Sequence, residues 1–240
     1  MDIRAVIFDL DQTLIESLAE GLRRIRTLCA MHDIPFTNVS RTQLLNLWGA
    51  PAMTLLTQGL GVSEKTADVI HQAWQRYDEH ILPSVIPNAH RALSWLRRNG
   101  IINCLLTSRH RDNALTVLDR HDLLPEFAFV STIDDTEHHK PDPRTFEYIL
   151  GKLQEERGIS PNQCFYVGDT IADIVAGCSA GIATLAVMTG QFMHLPNLKN
   201  AVVGIGLDLA NVIPSVAELP YEVESRHSGM LPLSTDALGY

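Results

Sequence analysis

Residues 3–14, Ile3-Arg4-Ala5-Val6-Ile7-Phe8-Asp9-Leu10-Asp11-Gln12-Thr13-Leu14, decide the fold of this chain. Residues 3–8 form a short apolar run rich in β-branched side chains, which favours a buried strand. Asp9 and Asp11 follow directly at the end of this strand. Ligands of open parallel sheets bind at the carboxyl ends of the strands. The stretch therefore brings two carboxylates to a candidate site.

Downstream of residue 83 the chain alternates between short apolar runs and amphipathic segments. This alternation predicts an α/β fold with a doubly wound parallel sheet. The predicted strands are residues 101–106, 127–131, 165–167 and 182–187. The predicted helices are residues 88–99, residues 112–121, a helix that starts at Asp142-Pro143, and residues 170–180.

Between residues 15 and 82 the spacing of apolar residues is helical throughout, and we find no good strand there. This block is predicted to be an all-helical domain inserted after the first strand. We expect an α/β core made of residues 1–14 and 83–221. Residues 222–240 show little periodicity and are predicted to be a weakly structured tail.

Two helices of the inserted block carry a pattern typical of a capping box. Ser17 with Glu20 precedes the helix predicted over residues 17–32, and Ser40 with Gln43 precedes the next one. In a capping box the two side chains satisfy backbone N–H groups at the start of a helix. We therefore expect a helix to begin at each serine.

The composition excludes several classes of protein. The chain has 240 residues, is 45% apolar, and has 28 acidic against 19 basic side chains, for a net charge of −9. This apolar fraction argues against wholesale disorder, and the negative charge argues against a nucleic-acid or membrane partner. No apolar run reaches the ~20 residues of a membrane helix, and no signal peptide is evident, so a cytoplasmic protein is expected. The four cysteines form no CxxC pair and are predicted to be reduced thiols: Cys29, Cys104, Cys164 and Cys178.

Further polar residues stand at the ends of the other predicted strands. Thr107 and Ser108 end one strand, Asp169 ends another with Asp173 four residues on, and Lys140 precedes a helix start. Several carboxylates in one cleft repel each other unless a divalent cation lies among them, and oxygen ligands favour Mg²⁺. Mg²⁺ beside an ammonium and a hydroxyl is suited to phosphoryl transfer.

The sequence resembles the haloacid dehalogenase superfamily, and within it the phosphoglycolate phosphatase and β-phosphoglucomutase branch. The residues that carry the resemblance are residues 9–14, Thr107, His-Lys-Pro-Asp-Pro at 139–143, and the run from Val167 to Gly181. The resemblance covers residues 1 to about 190 in order and spacing. It implies a Rossmann-like core with a helical cap domain.

The resemblance also implies a mechanism and a role for each residue. The activity would be Mg²⁺-dependent hydrolysis of a small phosphomonoester through an aspartyl-phosphate. Asp9 would be the nucleophile and Asp11 the acid/base. Thr107, Ser108 and Lys140 would bind the phosphate. The metal ligands would be Asp9, Asp11 through its backbone carbonyl, Asp169, and Asp173 directly or through water.

Three features leave the substrate open. Gln12 stands where glycine is commonest, and Arg109 could contact a second anionic group of a substrate. Trp48-Gly49-Ala50-Pro51 lies where a cap loop of this branch reaches the active site. We expect a small phosphorylated metabolite as partner and a monomer or homodimer. A phosphomutase acting on a sugar phosphate and a non-catalytic phospho-signalling or binding module remain alternatives.

Overall fold

Strand β1, Ala5–Phe8, lies at the centre of the sheet because all four of its residues are buried apolar side chains. The computed structural model describes residues 2–78, 82–187, 189 and 204–206. β1 pairs in parallel with a strand on each side. A strand buried on both faces is typical of α/β proteins, in which helices cover the two sides of the sheet.

The sheet has six strands in the order β5-β4-β1-β6-β7-β8, and every neighbouring pair is parallel. The predicted α/β doubly wound fold is therefore confirmed. The remaining strands are β4 Ile102–Leu106, β5 Phe129–Ser131, β6 Cys164–Gly168, β7 Ala183–Val187 and β8 Gly204–Gly206.

Helices cover both faces of this sheet. Val6 and Phe8 of β1 belong to the apolar cluster on one face, and Ala5 and Ile7 belong to the cluster on the other, as the strand period of two requires. Helices α5 Ala89–Arg98 and α6 Arg111–Arg120 contribute to the first cluster, and α7 Glu147–Arg157 and α8 Ile171–Ser179 to the second.

The inserted block is helical and has a core of its own. Its helices are α1 Leu18–Met31, α2 Asn38–Asn46, α3 Ala52–Leu60 and α4 Glu64–Asp78. They share an apolar cluster that includes Ile25, Leu44, Leu56 and Ile70 and is separate from the two clusters at the sheet. In the part of the chain that is described, no helix has the length and apolarity to cross a membrane.

The prediction that the inserted block contains no strand is wrong. Strand β2, Ile15–Glu16, pairs antiparallel with β3, Ser84–Val85, and so joins the start of the block to the segment that follows it. Two residues are too few to show a period, and such a strand depends on its distant partner. The domain limits at residues 15 and 82 stay predictions, and the predicted tail at 222–240 lies outside the described residues.

Neither predicted capping box forms, although α1 begins directly after Ser17 as expected. Helix α2 begins at Asn38, and its cap is Thr37, whose side chain accepts a hydrogen bond from the Ser40 backbone N–H at 3.1 Å. At α1, Ser17 makes no side-chain cap, and the Gln12 carbonyl Oε1 accepts from the backbone N–H groups of Ser17 and Leu18 at 2.8 and 3.0 Å. A residue outside the helix therefore satisfies its first donors.

Two other expectations concern the helix after Lys140 and the cysteines. The helix expected from Asp142-Pro143 starts there as a 3-10 turn, Pro143–Phe146, and continues as α7. All four cysteines are free thiols, as predicted.

Candidate active site

The carboxyl ends of three adjacent strands define the site. β1 lies between β4 and β6 in the sheet, so the residues after these strands lie at one edge. Asp9 follows β1, Thr107 follows β4, and Asp169 follows β6. Asp9 and Asp169 are almost fully buried, at 4% and 1% exposure.

Lys140 is the buried cation at the centre of the site. Its Nζ donates to Asp9 Oδ1 at 2.6 Å and to Asp173 Oδ1 at 2.7 Å, and lies 3.3 Å from the Tyr166 hydroxyl. Burial disfavours the ammonium, but the charges of Asp173 and Asp9 outweigh burial and raise the pKa of Lys140. Lys140 is therefore a permanent positive charge against Asp9.

Asp173 accepts four hydrogen bonds, which is the capacity of a carboxylate. Oδ1 accepts from Lys140 and from the Tyr166 hydroxyl, the latter at 2.5 Å. Oδ2 accepts from the backbone N–H and the hydroxyl of Thr170, at 2.9 and 2.6 Å, in the capping box of α8. Gly168 is needed opposite Asp173, because a Cβ there would lie 2.5 Å from its side chain.

The carboxylates Asp9, Asp169 and Asp173 form a cluster that fits a divalent cation. One oxygen from each lies within 4.8 Å of the other two. Burial, countered by Lys140 and reinforced by Asp173, raises the pKa of Asp9 to about 7. Burial and the charges of Asp9 and Asp173 raise the pKa of Asp169 well above its usual value. The carboxylate oxygens of Asp9 and Asp169 suit Mg²⁺, and a bound cation would offset the repulsion among the three carboxylates.

Asp11 lies next to this cluster but forms an ion pair of its own. Arg109 Nε and Nη2 donate to its two carboxylate oxygens at 2.8 and 2.6 Å. Burial acts to raise the pKa of Asp11, but the Arg109 charge and hydrogen bonds outweigh it and lower that pKa. Nothing in the sequence pointed to this pair, because the two residues are 98 positions apart.

The turn after β4 brings Thr107 and Ser108 to the same edge. The Thr107 backbone N–H donates to the Ser131 carbonyl at 3.0 Å, which continues the sheet by one residue. The Thr107 hydroxyl accepts from the Arg109 backbone N–H at 3.2 Å and fixes the turn. Ser108 lines the cavity above the carboxylates.

A cavity of about 130 Å³ separates the helical insert from this edge of the sheet. Its floor includes Asp9 and Ser108, and its roof includes Leu55, Trp48 and Trp74. The two tryptophan rings lie 6.3 Å apart at 31°. The predicted approach of the Trp48 loop to the site agrees with this lining. The cavity therefore lies between the tryptophan rings of the insert and the Asp9 carboxylate.

Gln12 connects the loop after β1 to the first helix of the insert and to Thr189. Its backbone is left-handed, with φ 59°, the conformation that explains why glycine is common there. Besides the two α1 donors that it caps, its Nε2 donates to the Thr189 carbonyl at 3.0 Å, and the Thr189 hydroxyl donates back to its carbonyl. The departure from glycine was the only sign of this role in the sequence.

The fold and the site together define a class of enzyme: a parallel α/β sheet with a buried carboxylate–lysine cluster at its strand ends, covered by a helical insert. The model of the haloacid dehalogenase-like hydrolase family matches residues 6–187. The chain therefore belongs to this family, as the motifs predicted.

Three comparisons show which known proteins this chain is similar to. Phosphoglycolate phosphatase 1 of Pseudomonas aeruginosa is 26% identical over 221 residues, which cover 88% of this chain and 79% of that protein. The N-acetylmuramic acid 6-phosphate phosphatase of the same organism is 26% identical over 197 residues, 81% and 85% of the two chains. A crystal structure described as a predicted phosphoglycolate phosphatase from Haemophilus somnus 129PT superposes with a TM-score of 0.79 at 22% identity, over 89% and 98% of the chains.

Proposed function

We propose that the protein is a Mg²⁺-dependent phosphatase that hydrolyses a small phosphomonoester through an aspartyl-phosphate on Asp9. The observation that carries the proposal is the Asp9 carboxylate at the end of the central strand, 2.6 Å from the Lys140 ammonium and facing a cavity. A lysine charge and an acidic, metal-competent cluster beside one carboxylate suit the handling of a phosphoryl group. The two P. aeruginosa relatives, both named as phosphatases, support the same activity.

The proposed chemistry needs two proton transfers at Asp11. A carboxylate oxygen of Asp9 attacks phosphorus, the ester P–O bond breaks, and Asp11 gives a proton to the leaving oxygen. Asp11 then takes a proton from water as that water attacks phosphorus. The acyl-phosphate P–O bond breaks, inorganic phosphate leaves, and Asp9 is restored.

The phosphoryl group would be bound from two sides. Lys140, next to Asp9, balances the negative charge of the phosphoryl group. Thr107 and Ser108 provide hydroxyl groups at the turn after β4. These groups are held before the substrate arrives, because the Thr107 turn and the Lys140 contacts are already formed. Preorganised donors of this kind stabilise developing charge without reorganisation.

For the metal we propose Asp9, Asp169 and the backbone carbonyl of Asp11 as ligands. Bound Mg²⁺ would neutralise phosphoryl oxygens and hold the phosphate against Asp9. All four acceptor positions of Asp173 are taken by hydrogen bonds, so we assign it the orientation of Lys140 rather than direct coordination. Thr13 orients Asp169 by donating to its Oδ1 at 3.3 Å.

The cavity over Asp9, about 130 Å³ in volume, is where a small phosphorylated metabolite would bind. The relatives name two such substrates, phosphoglycolate and N-acetylmuramic acid 6-phosphate, and both carry a carboxylate as well as a phosphate. We take these two compounds as the first to be tested.

Phosphate release with Mg²⁺ tests the proposal. The wild-type protein should release phosphate from at least one of these esters or from a generic aryl phosphate. Asp9→Asn should lower kcat roughly 1,000-fold or more, as removal of a nucleophile does. Asp68→Asn, at an exposed carboxylate of α4, is the matched control and should keep wild-type activity.

Two results would contradict the proposal. Activity retained in Asp9→Asn would remove Asp9 as the nucleophile. A positional isomer of a sugar phosphate, formed without free phosphate, would instead establish the phosphomutase alternative. The match to a hydrolase family argues against the second alternative, a non-catalytic phospho-signalling or binding module.

A further inference from the structure

Arg109 holds the proposed acid/base in a closed ion pair. Its Nε and Nη2 engage both oxygens of Asp11, and its Nη1 donates to Asn113 Oδ1 at 2.5 Å. The pair is mostly buried, with side-chain exposures of 20% for Arg109 and 16% for Asp11. A bidentate pair of this kind is among the strongest polar contacts in proteins.

While this ion pair is intact, Asp11 cannot act as the acid/base. Both carboxylate oxygens point at the guanidinium, so reaching a leaving-group oxygen requires that at least one of these bonds opens. Opening it without a replacement leaves a partly buried cation and a partly buried anion unpaired, which is costly. A substrate group that takes the place of Asp11 on Arg109 would remove this cost.

The position of the pair shows what could replace Asp11. Asp11, Arg109 and Asn113 all line the cavity that faces Asp9, so a substrate bound there meets the pair directly. Asn113 holds the third guanidinium nitrogen from its own side, which keeps the fork in place when Asp11 leaves. A planar carboxylate matches this fork as Asp11 does, whereas a neutral group cannot replace the lost charge.

We infer that Arg109 is a specificity-determining and positioning residue: a second anionic group on the substrate's leaving group displaces Asp11 from Arg109 and so frees Asp11 for catalysis. This rests on the proposed function. It makes the substrate class a phosphomonoester that carries a carboxylate or another anion near the ester oxygen. A phosphomonoester without a second anionic group binds at the same place in the cavity, next to Asp9, but leaves the Asp11–Arg109 ion pair intact.

A second arginine in the cavity is less suited to this role. Arg24 of α1 is paired with Glu20 at 2.8 Å, and both residues lie on the insert. Arg109 instead follows Thr107 and Ser108 in the same turn, so its distance from the proposed phosphate site is fixed by the core. Its partner is the acid/base itself, which links recognition to catalysis.

The test compares two substrates that differ in one charge, 2-phosphoglycolate and ethyl phosphate. For wild-type protein with Mg²⁺ we expect kcat/KM to favour 2-phosphoglycolate by roughly 10- to 100-fold, the range of a charge-assisted contact. In Arg109→Ala this preference should fall at least about tenfold, because 2-phosphoglycolate loses its charge-assisted contact. The kcat for ethyl phosphate should not fall, because Asp11 is no longer held in the ion pair. Arg109→Lys, which keeps the charge and loses the fork, should restore only part of the preference.

The control and the other outcomes separate the inference from the proposed function. Arg111→Ala removes a neighbouring arginine that pairs with Asp135 and should leave the preference as in wild type. Equal losses for both substrates in Arg109→Ala, or no preference in wild type, would overturn the inference. Hydrolysis of ethyl phosphate that Asp9→Asn abolishes would show that the proposed function stands even then. If wild type hydrolyses neither ester, the inference fails, and N-acetylmuramic acid 6-phosphate and the aryl phosphate then decide the proposed function.

Discussion

Asp9 and Asp169 are two carboxyl groups that burial keeps from ionising at their usual pH. Burial raises the pKa of Asp9 to about 7, and burial with the charges of Asp9 and Asp173 also raises the pKa of Asp169 well above its usual value. A carboxyl group with a higher pKa in the folded than in the unfolded protein binds a proton on folding. Its contribution to stability is therefore lost as the pH rises, for Asp9 between about 4 and 7.

We therefore predict that Mg²⁺ stabilises the protein more at pH 7.5 than at pH 5. At low pH the ligands are protonated and compete with the metal, whereas at higher pH the cation relieves their repulsion. At 100 times Kd the gain is about 2.7 kcal/mol, or roughly 5–10 °C in Tm, measured by thermal unfolding. Asp169→Asn should remove most of the shift. A shift that is equal at both pH values would contradict this account.

The positive charge of Lys140 is also expected to be needed for the reaction. Lys140→Met leaves Asp9 and Asp173 without their shared counter-charge, so we expect kcat for phosphate release to fall roughly 100-fold. Lys152→Met, at a lysine of α7 whose partner is Glu156 on the surface, controls for the loss of one positive charge. Similar activity in the two variants would show that Lys140 has no part in the reaction.

At the scale of an element, α1 and the Trp48 loop depend on one glycine. A Cβ at Gly21 would lie 2.1 Å from the Trp48 ring, so α1 has no room there for any side chain. Trp48 in turn donates from its indole N–H to the Ser17 hydroxyl at 3.2 Å. This contact fixes the loop that forms the roof of the cavity.

Gly21→Ala should lower the free energy of unfolding by about 1–3 kcal/mol, because an extra methyl group must displace the buried ring. Gly151→Ala in α7 is the matched control, since a Cβ at Gly151 would meet nothing within 4 Å. That change should stabilise the helix by about 0.5–1 kcal/mol. Urea denaturation measures both values, and a neutral Gly21→Ala would show that the ring moves freely.

At the scale of the whole molecule, much of the fold could be predicted because its signals are local. Buried β-branched runs, strand-end aspartates and helical spacing predicted five of the six strands, the insert and the residues at the strand ends, but not β8. Strands β2 and β3 could not be predicted, since two-residue strands depend on pairing across the insert. The bonds of Gln12 and the Asp11–Arg109 pair join residues far apart in sequence, which no single-sequence pattern reveals.

The site is formed by three neighbouring strands that are far apart in the sequence. β1 supplies Asp9, and β4 and β6 place Thr107 and Asp169 on either side of it. The charge of the chain is −9, yet Lys140 lies against Asp9 at the point where a phosphate would bind. Asp9 as the nucleophile is the central claim that this architecture supports.

Trapping the covalent intermediate tests that claim most directly. Protein mixed with Mg²⁺ and 2-phosphoglycolate, or another ester that it hydrolyses, is quenched and treated with borohydride, which reduces an aspartyl-phosphate to homoserine. Peptide mass spectrometry should find homoserine at position 9, only with substrate present and not in Asp9→Asn. Phosphate release by the wild-type protein with no modification at position 9, or with modification at another aspartate, would contradict the account.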